Sequence, residues 1–211
     1  MENAKHSRSS PLSIIHQDLA LIVAEKPEGL LSVPGRGEDK QDCMSLRIQK
    51  SFPDALAVHR LDMATSGLMM FAMGPENHRL LSRMFRDRLI AKRYVAIVSG
   101  TLALQNGEID LPMSADWPNR PRQKIDVLGK PSVTRYEVLE QGKEWARLRL
   151  EPVTGRTHQL RVHLMATGHP IVGDALYGGK PSGRLMLHAQ ELCFDHPVTG
   201  ERLHLVSMPP F

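Results

Sequence analysis

His59-Arg60-Leu61-Asp62 closes an apolar run at residues 55–61 and leads into Thr65-Ser66-Gly67. Read as the end of a strand, alternation puts Arg60 and Asp62 on one face and His59 and Leu61 on the other. A carboxylate at a strand-to-loop junction is held by a rigid element yet open to solvent. That suits a catalytic group, and equally a structural aspartate capping its own turn. A second cluster, residues 154–164, reads TGRTHQLRVHL. A helix starting near Thr157 would bring Thr157, His158, Arg161 and Met165 to one face, with Leu160 and Leu164 on a neighbouring stripe that packs on a sheet. A guanidinium forks onto carboxylates, so Arg161 would either keep a partly buried Asp62 ionised or form an ordinary ion pair at the core edge.

Other polar residues invite less. His158, His163 and His169 have neither the i, i+4 spacing of a zinc helix nor neighbouring cysteines, so no metal is expected. Gly35-Arg36-Gly37 and Gly173-Asp174-Ala175-Leu176-Tyr177-Gly178-Gly179 lack the phosphate-loop lysine and the dinucleotide fingerprint, and read as turns, with no organic cofactor expected. Tyr94 after Ala91-Lys92-Arg93 fits a base-stacking ring or a buried sheet tyrosine.

Charge points toward a polyanion by its placement. The net charge is only +4, from 27 basic and 23 acidic residues. Between residues 79 and 93, however, Arg79, Arg83, Arg86, Arg88, Lys92 and Arg93 face the single acid Asp87. A second group, Arg120, Arg122, Lys124 and Lys130, is opposed only by Asp126. Such concentrations supply phosphate contacts, or else form a solvated helix face and a basic loop. With 41% hydrophobic and 24% charged residues the chain has an ordinary globular composition, which excludes wholesale disorder. Its apolar runs reach six residues, as at 19–24, against the roughly 20 of a membrane-spanning helix. Residues 1–13 are polar, lack the apolar centre of a secretory signal and read as a flexible tail. Two distant cysteines, Cys43 and Cys193, argue against a disulfide framework. A soluble cytoplasmic chain is expected, with residues 14–211 forming one domain.

The elements that must position these residues follow from periodicity. Strands are predicted over 18–26, 55–61, 67–73 and 94–98, and helices over 44–52, 75–89 and 157–167. In the second helix Leu80, Leu81, Met84 and Phe85 form the buried stripe and Arg79, Arg83 and Arg86 lie off it. Residues 101–130 read as an irregular functional loop. Strand pairs are expected at 133–139 with 145–150 and at 185–194 with 202–206. Hairpins outnumber βαβ units, so the class is α+β with a large, mainly antiparallel sheet.

These motifs resemble a known family. Residues 59–67, HRLDMATSG, are similar to the HRLDxxTSG signature of the RluA-type pseudouridine synthases, and Gly155-Arg156-Thr157-His158-Gln159-Leu160-Arg161-Val162-His163 to their second signature. Lys26-Pro27-Glu28-Gly29, Lys92-Arg93-Tyr94-Val95-Ala96 and Gly173-Asp174-Ala175-Leu176-Tyr177-Gly178 agree in family order, so five motifs span residues 26–178 of 211. Residues 30–36 and Asp116-Trp117-Pro118-Asn119-Arg120-Pro121 resemble the subgroup of dual specificity, which modifies a 23S rRNA hairpin and a tRNA anticodon stem-loop and has no S4-like domain. The resemblance implies a bifurcated, mainly antiparallel mixed sheet flanked by helices, Asp62 as catalytic aspartate, Arg161 as its charge partner, Tyr94 stacked on the target base, and Arg60 filling the gap that base leaves. It also implies no metal and no cofactor.

The RNA-binding set expected from motifs and patches is Arg60, His59, Thr65, Arg79, Arg83, Arg86, Arg88, Arg120, Arg122, Lys124, Arg156 and His158. The expected partners are 23S rRNA and tRNA stem-loops, with no membrane and no obligate protein partner, the enzyme acting as a monomer. A carboxylate suits the isomerisation because it can add to C1′, or take a proton at C2′, and then depart. Two other classes use parts of the same residue set: a glycosylase, which would release free uracil, and a non-catalytic RNA-binding module, which would tolerate Asp62→Ala.

Overall fold

A computed structural model describes residues 12–211. In chain order the elements are β1 (Ser13–Gln17), β2 (Leu21–Lys26), α1 (Met44–Gln49), β3 (Ala55–Ala57), β4 (Ser66–Met73), α2 (Gly74–Arg86), β5 (Ala91–Ser99), β6 (Asn106–Asp110), β7 (Met113–Ala115), β8 (Gln123–Ile125), β9 (Val133–Gln141), β10 (Trp145–Pro152), α3 (Gln159–Ala166), β11 (Leu187–Asp195) and β12 (Arg202–Val206). This is the expected α+β class. One ten-stranded sheet runs β1-β2-β4-β11-β5-β10-β9-β6, with β3 added to β4 and β12 to β11, and β7 and β8 form a separate hairpin. Among the named strands of the described residues, only β4 and β11 pair in parallel; the other ladders are antiparallel.

The sheet forks at that parallel pair. Ser66 and Gly67 pair with His188 and Ala189, after which β12 takes over the edge of β11 from Glu191 onward and β3 takes over the edge of β4. Gly67 sits at the crotch with φ +115°, and a Cβ there would lie 2.3 Å from the Ala189 carbonyl oxygen, so only glycine permits this approach. Helix α2 packs beside the fork. Leu81, with Met84 and Phe85, meets Leu68, Met70 and Ala72 of β4 and Leu192 and Phe194 of β11. The opposite faces of β2 and β4, carrying Ile22, Ala24, Met69 and Phe71, pack on Met44 and Ile48 of α1. Burial on both faces explains why these two strands read as continuous apolar runs. By contrast, β10 alternates, with Ala146, Leu148 and Leu150 against Leu160 and Leu164 of α3.

Several expectations need correction. Residues 55–61 are strand only through Ala57, so His59 to Asp62 lie in a loop and the two-face alternation does not hold there. The expected tail reaches too far, because Ser13 opens β1; residues 1–11 lie outside the described residues. The stretch 101–130 is not irregular throughout: β6 forms a sheet edge on β9, and β7 and β8 make a hairpin. Leu80 of α2 is 41% exposed rather than part of the buried stripe. Helix α3 starts two residues later than expected, after His158 in a left-handed conformation at φ 55°. It is buried on nearly every side, and its polar residues are each satisfied. Gln159 donates to the Val133 carbonyl and Thr134 Oγ1, and His163 meets Thr134 Oγ1 and the Leu111 carbonyl. No helix among the described residues is long and apolar enough to cross a membrane.

Candidate active site

The loop carrying Asp62 is clamped from three directions. Ser32 Oγ accepts the Leu61 N–H at 2.9 Å and donates to the Leu61 carbonyl at 2.6 Å. The Thr65 N–H closes a turn onto the Asp62 carbonyl at 3.0 Å. Lys26 Nζ donates to the carbonyls of Pro27 (2.7 Å), Leu30 (2.7 Å) and Met63 (3.1 Å), three acceptors matching the three protons of an ammonium. Burial brings the Lys26 pKa down to about 7 against the upward pull of Asp62 and Glu28.

Arg161 comes from α3 to meet this loop. It is 5% exposed, and its Nη1–H donates to Asp62 Oδ2 at 3.1 Å. Its other edge forks onto Asp174, Nε to Oδ2 at 2.7 Å and Nη2 to Oδ1 at 2.9 Å. Burial works against the Arg161 charge, but the bonds and charge of Asp174, with Asp62 behind them, outweigh it and lift its pKa above the ordinary value. Asp174 in turn accepts the N–H groups of Leu176 and Tyr177, which fixes the 173–178 turn beneath the guanidinium. Gly173 is required there: at φ +80° a Cβ would overlap the Arg184 carbonyl oxygen at 1.7 Å. The expected Asp62–Arg161 pair is therefore present, within a triad whose third member, Asp174, lies in the 173–178 motif with no role assigned to it from sequence.

Two rings flank the carboxylate. Tyr94, half-buried on β5, has its pKa raised by burial and then by the Asp62 charge, so its hydroxyl stays protonated at neutral pH. His158 Nε2 lies 3.8 Å from Asp62 Oδ2, and its Nδ1 lies 2.7 Å from Tyr177 Oη. Both polar neighbours of Asp62 thus approach Oδ2. No hydrogen bond among the described residues ends on Oδ1.

Asp62 lies in a groove of about 1540 Å³, larger than the ~300–1,000 Å³ of small-molecule sites. Its walls include Arg60, Arg86, Arg88, Lys92, Tyr94 and Arg156.

Residues 20–166, which hold both Asp62 and Arg161, match the family described as RNA pseudouridylate synthase. The chain belongs to that family. It is 47% identical over 209 residues to a protein of Escherichia coli K12 named dual-specificity RNA pseudouridine synthase RluA, covering 96% of this chain and 95% of that one. It is 50% identical over 198 residues to the like-named protein of Haemophilus influenzae, covering 91% and 90%. Among solved structures, human RNA pseudouridylate synthase domain containing 1 superimposes with a TM-score of 0.80 at 29% identity, covering 98% of this chain and 87% of that one.

The residues expected to touch RNA divide into three groups in this member of the family. Arg60, Arg86, Arg88 and Arg156 are exposed and line the groove. Arg79, Arg83, Arg120, Arg122 and Lys124 are exposed outside that lining; Arg83 shares Asp87 with Arg86, and Arg120 stacks on the exposed ring of Trp117 at 3.5 Å. His59, Thr65 and His158 also border the groove, and each is held by contacts within the fold. His59 Nε2 accepts the Met70 N–H at 3.0 Å and its ring stacks on Phe85, while burial, aided by Lys92, lowers its pKa to about 3. A neutral ring spent on β4 and α2 anchors the loop and offers no positive charge to a phosphate. Thr65 is 2% exposed and belongs to the turn framework.

Sequence reasoning assigns no role to Lys26, Asp174, Tyr177 or Arg184, whose Nη2 donates to Ser66 Oγ at 2.6 Å while its Nε pairs with Glu28 at 2.8 Å. The first three lie inside the family motifs; Arg184 lies in none, and nothing in local spacing points to it.

Proposed function

We propose that this chain isomerises uridine to pseudouridine in both an rRNA hairpin and a tRNA anticodon stem-loop, working as a cytoplasmic monomer with Asp62 as the catalytic carboxylate. The observation that carries the reading is the Asp62 carboxylate, paired with Arg161 through Oδ2 and with no hydrogen bond to Oδ1 among the described residues, in a large groove on a loop immobilised by Ser32, Lys26 and Arg161. Support for two RNA classes comes from relatives named as dual-specificity enzymes over nearly the whole chain. A single flexible stem-loop makes no demand for two-fold symmetry, which supports a monomer.

The reaction breaks the N1–C1′ bond and forms a C5–C1′ bond within one nucleotide; a proton leaves C5 and one is gained at N1. A carboxylate beside the sugar serves by adding at C1′ or by taking the C2′ proton, and both routes place Oδ1 against the ribose. Arg161 opposes the charge on the other oxygen in a site that closes over the flipped base. Tyr94, protonated beside Asp62, offers its ring face to the uracil as a stacking surface. Arg60, exposed on the same loop, occupies the space the base leaves in the RNA. The arginines along the walls meet phosphates, so recognition follows stem-loop shape more than base identity.

Tritium release from 5-tritiated uridine in separate rRNA and tRNA stem-loop transcripts tests this. Release from both RNAs is expected. Release from one alone would restrict the substrate class, free uracil would indicate a glycosylase, and release from neither would remove the proposal.

A further inference from the structure

We propose that Tyr177 fixes the tautomer of His158 so that an Nε2–H faces Asp62 Oδ2, making His158 a positioning residue that, with Arg161, reserves Oδ1 for the nucleotide. This rests on the reading of Asp62 as the catalytic carboxylate and adds how that carboxylate is oriented.

A chain of donors and acceptors sets the tautomer. The Gln123 N–H of β8 points at Tyr177 Oη at 2.8 Å, and a backbone amide can only donate. Tyr177 therefore accepts there, and its own O–H is free for the atom 2.7 Å away, His158 Nδ1. An Nδ1 that accepts carries no proton, so the single hydrogen of the neutral imidazole resides on Nε2. Burial, with Arg161 adding to it, lowers the His158 pKa against the pull of Asp62 and Asp174, which keeps the ring neutral near pH 7.

The consequence falls on Asp62. At 3.8 Å the Nε2–H is beyond hydrogen-bond length and acts as a dipole directed at Oδ2, the oxygen that already accepts from Arg161. The opposite tautomer would aim a lone pair at the same oxygen and push the carboxylate away. The ring is held in place on both sides. Tyr177 meets it edge to face at 5.7 Å and lies under the Arg161 guanidinium at 5.1 Å, and the His158 backbone is retained at φ 55°, where non-glycine residues are uncommon.

The test compares wild type, Tyr177→Phe, His158→Gln and the double variant by single-turnover tritium release from a tRNA stem-loop, with RNA affinity measured by filter binding. Glutamine places its amide nitrogen where Nε2 stood and turns to present an N–H without a tautomer to be chosen. In the wild-type background Tyr177→Phe is expected to lower the rate about tenfold, the size of one hydrogen bond near a charged group, with RNA affinity within about twofold. In the His158→Gln background the same change is expected to cost less than about twofold. Equal losses in both backgrounds, or a loss of affinity matching the loss of rate, would overturn the proposal and leave Tyr177 a purely structural residue. Nitrogen-15 shifts of the His158 ring decide the tautomer independently of activity: a proton on Nε2 is expected, and one on Nδ1 overturns it. A wild-type protein releasing no tritium would remove the synthase reading instead, while the ring shifts would still report on the tautomer.

Discussion

Replacing Arg161 by methionine removes three hydrogen bonds and separates two effects. Asp174 has no side-chain exposure, and without the guanidinium it is a buried carboxylate lacking its counter-charge. Breaking such a pair from one side costs about 3–5 kcal/mol. For a chain of this size each kcal/mol shifts Tm by about 2–4 °C, so Arg161→Met should lower Tm by about 6–20 °C. Adding Asp174→Asn removes the stranded charge while Oδ1 still accepts the Leu176 and Tyr177 N–H groups. The residual cost is that of an unpaired amide, about 1–3 kcal/mol, so the double variant should regain about 2 kcal/mol. Activity should not follow. Asp62 has lost its donor in both proteins, and a charge-assisted bond of about 1.5–3 kcal/mol corresponds to a rate loss of about 10–150-fold. Thermal denaturation by circular dichroism and single-turnover tritium release, below both transitions, read the two quantities. Recovery of rate together with stability in the double variant would refute the reasoning, because Arg161 would then act on the fold alone.

Three further outcomes follow from burial and charge. Lys26 titrates near 7 when folded and near 10.5 when unfolded, so the unfolded chain binds the extra proton between those values and stability should rise with pH across that window, by at most about 1.4 kcal/mol per unit; urea midpoints of Lys26→Met should lack this rise. Burial, with Arg184 adding to it against the Ser207 backbone bond, lowers the His188 pKa from 6.5 to about 4; its contribution is present above 6.5 and lost as pH falls toward 4, and urea midpoints of His188→Asn should decline less over that range. RNA affinity should fall steeply with salt, and Arg86→Gln with Arg156→Gln should reduce the log–log slope by about 0.7–0.9 for each phosphate no longer neutralised; an unchanged slope would take the groove arginines out of RNA binding.

What the sequence discloses depends on how local the determining forces are. Alternation in β10 and the stripe of α2 are legible because each element buries one face, β10 against α3 and α2 against the sheet. The start of the loop at 58–65 reads as strand since its residues are apolar and partly buried. What holds it, however, is Ser32 and Lys26, 29 and 37 residues away, and no local period records that. Residues 113–115 and 123–125 escape because three-residue strands are too short to show a period of two. Helix α3 shows why its site is half legible: Gln159, Arg161 and His163 are polar residues with no helical face common to all three, and they are buried against partners from 111, 133–134 and 174. Asp62 and Arg161 stand out through their motifs. Asp174 also lies in a motif, but its pairing with Arg161 requires the fold, which returns the 173–178 turn to lie under α3.

If the Asp62 carboxylate acts on the ribose of the bound nucleotide, neutralising it must stop the chemistry and spare the binding. Asp62→Asn keeps the side chain's size and an oxygen able to face Arg161, so the decisive measurement is its single-turnover tritium release at an enzyme concentration shown by filter binding to saturate the RNA. Background release is expected, with RNA affinity within about twofold of wild type. Turnover within about tenfold of wild type by the bound, folded variant would show that the carboxylate is not the catalytic group.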